Sequence, residues 1–369
     1  MSPLAETGEA GPPARFAVVG SGWRAQFFLR LARMAPEHLR VTGVVTRSAE
    51  RGRQIEADWE VPTFRSLQDL VAAERPEFVV PSVPWSVTPQ TTQDAVELGL
   101  LVLAETPPAP TAEGLRDLWE AVGASGRVQV AEQYLLMPGH AARLALLREG
   151  LIGEVTSVQV SSTHLYHATS MIRHMLGVGF DPATVTARTF RAPLADPLSP
   201  DGWSGSDEPQ ERGTTLALLD FGNGRSALYD FTDNQWWNPL RSRRIVLRGS
   251  RGEIVDDRVV RLADPTTPVD SCLNRRQLGV DLNLEGVGLD HISFEGRVVY
   301  RNPFPGARFS EDDLAVATIL RDMARWARGE RPEPYRLAEA CQDHLLALAI
   351  EESARTGAPV TTGRESWAS

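Results

Sequence analysis

The stretch from Arg15 to Ala35, RFAVVGSGWRAQFFLRLARMA, constrains the fold more than any other part of the chain. A short apolar run gives way at Gly20-Ser21-Gly22 to apolar residues at helical spacing, the order of strand, tight turn and helix. Gly20 permits the turn, Gly22 leaves the backbone open to a close-lying anion, and Ala25 takes the third small position of a G-x-G-x-x-A pattern. A helix that starts there turns unpaired N–H groups and a positive dipole end toward a diphosphate. A purely structural glycine turn meets the same pattern, so its weight depends on the segments C-terminal to it.

A second apolar run, LRVTGVV, completes a βαβ unit and ends at Thr46-Arg47-Ser48. An NAD site usually places a carboxylate there for the ribose hydroxyls, whereas a guanidinium flanked by hydroxyls suits a 2′-phosphate. The expected cofactor is therefore NADP, with NAD as the alternative. Further strands at EFVVPSV, LLVLAE and VQVAEQY alternate with helical TTQDAVELG and EGLRDLWEAVGA, which means a doubly wound parallel sheet. Ligands of such sheets lie beyond the carboxyl ends of the strands. That rule gathers Gly20, Ser21, Gly22, Trp23, Arg24, Thr46, Arg47, Pro84, Trp85 and Glu105 as cofactor contacts, with Thr106 and Glu132 facing substrate.

Beyond LLREGLIGEV the pattern changes to period two around Asn-Gly and Arg-Gly turns, most clearly in LALLDFGNGRSALYDF, and the segments TSVQVSS, TVTARTF and RRIVLRGSRGEIVD read as antiparallel strands. Two amphipathic helices, SEDDLAVATILRDMARWARGE and LAEACQDHLLALAIEESARTG, close the chain. The expected layout is a flexible tail over 1–14, an α/β dinucleotide domain over 15–135 and an α+β domain over 136–369 with an open, mostly antiparallel sheet. The C-terminal helices are candidates for packing back on the first domain. Trp236 and Trp237, read as lying on an antiparallel strand, are the candidate anchor of a homo-oligomer, dimer or tetramer, formed through that sheet.

Composition narrows the chemistry. A formal charge of −10 with interspersed signs argues against nucleic acid and for a small-molecule partner. No apolar run approaches a membrane span and the N-terminus lacks a signal-peptide pattern, so a cytoplasmic protein without a membrane partner is expected. Cys272 and Cys341 form no CxxC or Cys/His cluster, and no metal is expected. All 38 basic residues are arginine, so chemistry that needs a lysine amine is excluded.

In this order, AVVGSGWRA, LLVLAETPPA, LLREGLIGEV, LALLDFGNGRSALYDF, LRGSRGEIVD and ESARTGAPV resemble the Gfo/Idh/MocA oxidoreductase family over residues 15 to 361. The resemblance implies an N-terminal Rossmann domain, a C-terminal α+β domain whose open sheet forms the oligomer interface, and hydride transfer between a nicotinamide cofactor and a sugar-like substrate. It also implies a Glu-Lys-Pro motif, which here is Glu105-Thr106-Pro107, so the lysine near the reacting hydroxyl is missing. The family's helix-start histidine falls on His167 within THLYHATSMIRHMLG, while Thr163 and Ser170 stand where two aspartates are expected.

The catalytic set implied is His167 as acid/base, assisted by Tyr166 and Thr106, with Glu132 and His164 touching substrate and His174 turned to the core. A helix-start histidine with a structural role is the alternative for His167, since its orienting carboxylates are absent. Two other functions stay open: a nicotinamide-dependent lyase or glycosidase that oxidises its substrate transiently, and a catalytically decayed cofactor- or partner-binding protein.

Overall fold

A computed structural model of the chain describes residues 11–279 and 285–368. The first strands and helices alternate: β1 (Ala14–Val19), α1 (Trp23–Met34), β2 (Leu39–Val45), α2 (Ala49–Trp59), β3 (Thr63–Phe64), α3 (Leu67–Ala73), β4 (Phe78–Pro81), α4 (Thr88–Glu97), β5 (Val102–Ala104), α5 (Ala112–Val122) and β6 (Val128–Val130). All strand pairs among these are parallel and the order is β3-β2-β1-β4-β5-β6. This is the doubly wound arrangement expected, with its order reversal between β1 and β4.

The sequence explains the layering. β1 and β4 are buried along nearly their whole length, as strands covered on both faces must be. Phe16 stacks on Phe78 and meets Phe28 edge-on, all three wholly buried, and each burial stabilises by roughly 1.5 to 3 kcal/mol. α2, α3 and α5 start at side-chain caps: the hydroxyls of Ser48, Ser66 and Thr111 accept the backbone N–H groups of Arg51, Asp69 and Gly114.

The chain continues through α6 (Pro138–Arg148), β7 (Val155–Ser161), α7 (Leu165–Leu176), β8 (Thr184–Leu194), β9 (Leu198–Ser199), β10 (Gly202–Trp203), β11 (Gln210–Asp220) and β12 (Ser226–Thr232). Then come β13 (Arg244–Gly249), β14 (Gly252–Val255), β15 (Arg258–Asp264), β16 (Thr267–Leu278), β17 (Gly288–Phe294), β18 (Arg297–Arg301), α8 (Glu311–Ala327), α9 (Leu337–Thr356) and β19 (Val360–Thr361). Among the described residues the larger sheet runs β18-β17-β16-β15-β14-β13-β7-β12-β11-β8-β19. It is mostly antiparallel, and the β11–β12 and β13–β14 hairpins form where the sequence places them.

Four details differ from the sequence expectations. β7 lies between two partners and pairs parallel with β12 while antiparallel with β13, so the sheet is mixed at its centre. Trp236 and Trp237 lie not on a strand but in the turn after β12. That turn is built by Gln235, whose amide oxygen accepts the Thr232 N–H and whose NH₂ donates to the carbonyls of Ser161 and Ser242. The chain also divides discontinuously: one compact unit takes residues up to Ala141, Arg275–Ile292 and Tyr300–Cys341, and the other takes Ala142–Asn274, Ser293–Val299 and Gln342–Ser369. Sequence reading assigns 136–369 to the second domain, with its C-terminal helices as candidates for packing back on the first. Of the expected tail, residues 1–10 lie outside the described residues, and β1 already includes Ala14. No described helix is long and apolar enough to cross a membrane.

Candidate functional site

In the first unit the turn after β1 is built around Gly20, whose φ of +121° favours glycine. A Cβ there would sit 2.0 Å from the Ser82 carbonyl oxygen, so no other residue fits against the end of β4. The Gly20 N–H donates to the Val45 carbonyl at 2.9 Å, tying the turn to β2. Gly22 is the N-cap of α1, without a side-chain cap, and nothing lies within 4 Å of where its Cβ would be. The Ser82 hydroxyl beside the turn is buried without a hydrogen-bond partner. Open space at Gly22, a helix N-terminus without a side-chain cap and the buried Ser82 hydroxyl fit a bound diphosphate.

At the end of β2 the Thr46 hydroxyl donates to Ser21 Oγ at 3.2 Å, and Arg47 is exposed. Two arginines that the sequence pattern does not single out join them. Arg51, in the first turn of α2, donates through Nε and Nη2 to the Ser21 carbonyl at 3.4 and 3.3 Å. Arg65, after β3, donates through Nη1 to the carbonyls of Thr46 and Ser48 at 2.6 and 3.0 Å. Arg51 is marked only by its place in the first turn of α2, after the Ser48 cap; nothing local marks Arg65.

At the end of β5, Glu105 accepts Arg24 Nε at 2.9 Å, and the Arg24 guanidinium lies over the Phe27 and Phe28 rings. Both expected cofactor contacts are thus partnered with each other. Thr106 is half-buried and precedes a cis peptide to Pro107. Trp23 and Trp85 are exposed, Pro84 accepts the Thr88 N–H, and the buried Glu132 accepts the Tyr134 N–H at 3.0 Å, shaping the turn after β6.

In the second unit α7 opens at Leu165 with φ of +35°, unusual for a branched residue. Its N–H donates to the Tyr229 hydroxyl at 3.2 Å, and burial raises that phenol's pKa. The turn brings His164, Tyr166 and His167 together: the His164 ring lies 4.9 Å from Tyr166 and 5.2 Å from His167, and Tyr166 lies 4.4 Å from His167. Trp236 and Phe231 close over His164 at 4.5 and 6.3 Å, and His344 approaches Tyr166 at 5.8 Å. Burial, reinforced by His167, pushes the His164 pKa down to about 3, and its Nδ1 is buried without a hydrogen-bond partner.

Thr163 and Ser170, at the positions of the expected aspartates, are fully buried, and the Trp236 indole N–H reaches Thr163 Oγ1 at 3.4 Å. His174 is half-buried rather than enclosed, its Nδ1 2.9 Å from the Ser170 carbonyl. Further along α7 the buried Arg173 pairs with Asp343 and donates to the Gly179 carbonyl, and Gly177, at φ of +67°, ends the helix. Among the described residues no group of three or more His, Cys, Asp or Glu side chains is placed to hold a metal ion.

Residues 14–133 match the model of the Gfo/Idh/MocA family, described as an oxidoreductase family with an NAD-binding Rossmann fold. No curated protein sequence matches the chain. Solved structures with a similar fold include an NAD-binding oxidoreductase from Klebsiella pneumoniae, at TM-score 0.68 and 14% identity, covering 96% of this chain and 100% of that one. A myo-inositol dehydrogenase from Corynebacterium glutamicum gives 0.64 and 17%, covering 96% and 100%. An oxidoreductase from Agrobacterium radiobacter in complex with NAD+, L-tartaric acid and magnesium gives 0.66 and 16%, covering 94% and 98%. At these identities the likeness is one of fold.

Proposed function

We propose that the protein is an NADP-preferring oxidoreductase that moves hydride between the nicotinamide and a hydroxylated, sugar-like small molecule. The observation that carries this reading is the fit of the Gly20–Gly22 turn to a diphosphate together with an arginine-edged end of β2. When bound, the dinucleotide supplies the hydride donor or acceptor. Gly20 and Gly22 admit its diphosphate to the α1 amides, and Arg47 pairs with the 2′-phosphate.

In a chain without lysine, imidazole is the side chain best suited to exchange a proton near neutral pH. His167 therefore takes the hydroxyl proton as the substrate carbon is oxidised, and returns it in the reverse direction. His164 and Tyr166 contact the substrate beside it. His164, held neutral, offers a hydrogen bond without adding a charge that would oppose protonation of His167.

The functional molecule is a homo-oligomer joined through the larger sheet. Supporting this, Phe190, Leu216, Leu218 and Leu228 are exposed on one face of β8, β11 and β12, with Leu218 directly opposite Leu228. The half-exposed Trp237 lies outside that stripe, in its turn.

Calorimetry with NADPH and NADH, and then turnover on a panel of sugars and polyols, tests the reading. Tighter binding of NADPH with turnover of a neutral polyol is expected. Absence of affinity for both dinucleotides overturns it. Arg47→Asp is expected to weaken NADPH by at least about tenfold, the loss of one charge-assisted contact.

A further inference from the structure

Gly52 lies inside α2, at a position where glycine costs a helix about 0.5 to 1 kcal/mol relative to alanine. Its φ is not left-handed, so backbone conformation does not require it. The space beside it does: a Cβ would stand 2.3 Å from Arg65 Nη2, 2.8 Å from Nη1 and 2.7 Å from Thr63 Oγ1. The guanidinium that fills this space donates to the carbonyls of Thr46 and Ser48 and, through Nη2, to Thr63 Oγ1. Those two carbonyls flank Arg47. One planar fork therefore gathers the backbone on both sides of Arg47 and sets the arch that carries it.

We infer that Arg65 is the positioning residue of the 2′-phosphate pocket, and that Gly52 is glycine in order to admit it. The inference rests on the NADP reading of the same site. Arg65 acts through the 46–48 arch, which fixes where Arg47 stands and, through the Ser48 cap on the Arg51 N–H at 3.1 Å, where Arg51 begins. It also adds a third guanidinium to the charge that a dianionic phosphate meets. Glu56, further along α2, is engaged by the Thr63 hydroxyl and N–H, which hold its pKa low, while the Arg65 donors go to the Thr46 and Ser48 carbonyls and to Thr63 Oγ1. A dinucleotide without the 2′-phosphate does not draw on this arrangement.

The test is the ratio of NADPH to NADH dissociation constants, measured by calorimetry on the full chain, for wild type, Arg65→Gln, Gly52→Ala and the double variant. Arg65→Gln is expected to weaken NADPH about five- to tenfold and NADH by less than about twofold, since one charge-assisted interaction is lost and the diphosphate turn is untouched. Gly52→Ala should do the same although alanine favours the helix, because the guanidinium is the flexible group that gives way. Adding Gly52→Ala to Arg65→Gln should change nothing further, the signature of one shared cause. If wild type prefers NADPH but the variants leave the ratio unchanged, or weaken both dinucleotides equally, the role of Arg65 is overturned and the cofactor reading stands. If wild type shows no preference for NADPH, the cofactor reading falls and this inference falls with it.

Discussion

His164 and Trp236 meet edge to face, their ring centroids 4.5 Å apart and their planes at 86°. The contact joins the residue that caps α7 to a turn 72 positions further on, and it encloses an imidazole whose Nδ1 has no hydrogen-bond partner. A charged ring in that apolar enclosure loses hydration without gaining a counter-ion, so the ring stays neutral.

Acid sensitivity is a consequence of the enclosure. With a folded pKa of about 3 against the ordinary 6.5, His164 binds a proton more readily in the unfolded chain. Its contribution to stability is complete above about pH 6.5 and is lost as pH falls from there toward 3. His164→Leu should therefore lose less stability than wild type between pH 7 and pH 4.5, measured as the shift in urea midpoint. Parallel losses in the two proteins would remove His164 from the account.

His167 carries the proton in the proposed reaction. His167→Asn should lower kcat by roughly 10²- to 10⁴-fold, with NADPH affinity within about twofold of wild type. Steady-state turnover and calorimetry on the same preparation separate the two effects. An unchanged kcat would assign the proton to another group.

Arg173 and Asp343 form an ion pair with side chains 1% and 3% exposed. Removing one partner leaves a buried charge without compensation, so Asp343→Ala should cost about 3 to 5 kcal/mol. Chemical denaturation at pH 7 checks this. A loss below about 1 kcal/mol would mean that the guanidinium finds water or another acceptor.

Leu218 and Leu228 face each other across β11 and β12 and are both substantially exposed. Leu218→Glu should shift sedimentation from a dimer or tetramer toward the monomer without lowering the unfolding midpoint, since the side chain already faces solvent in the single chain. A wild-type protein that sediments as a monomer would refute assembly through this face.

Local patterns carried much of the fold. The apolar runs of β1 and β2, the helical spacing of α1 and the Asn-Gly hairpin of β11 and β12 each depend on residues within a dozen positions, and each was legible in the sequence. The parallel pairing of β7 with β12 was not, because it brings Ser157 beside Ser226 with no local signal. The placement of Trp236 was hidden for a similar reason. Its turn is held by Gln235 and by the nearly buried Asp196, whose Oδ1 accepts the side-chain amides of Asn234 and Asn238 from about forty residues earlier. Of the proposed site residues, the glycines and His167 are those that motif spacing singles out. The guanidinium of Arg65 could not, since its acceptors lie 17 and 19 residues away on a neighbouring strand end and loop.

The discontinuous division of the chain sets an order for its synthesis. The polypeptide changes unit after Ala141, Asn274, Ile292, Val299 and Cys341, so the unit that is begun first still lacks α8 when most of the ribosome's work is done. The first-begun unit receives α8 only 170 positions after Ala141. A fragment ending near residue 135 would lack α8 and the other later segments of that unit.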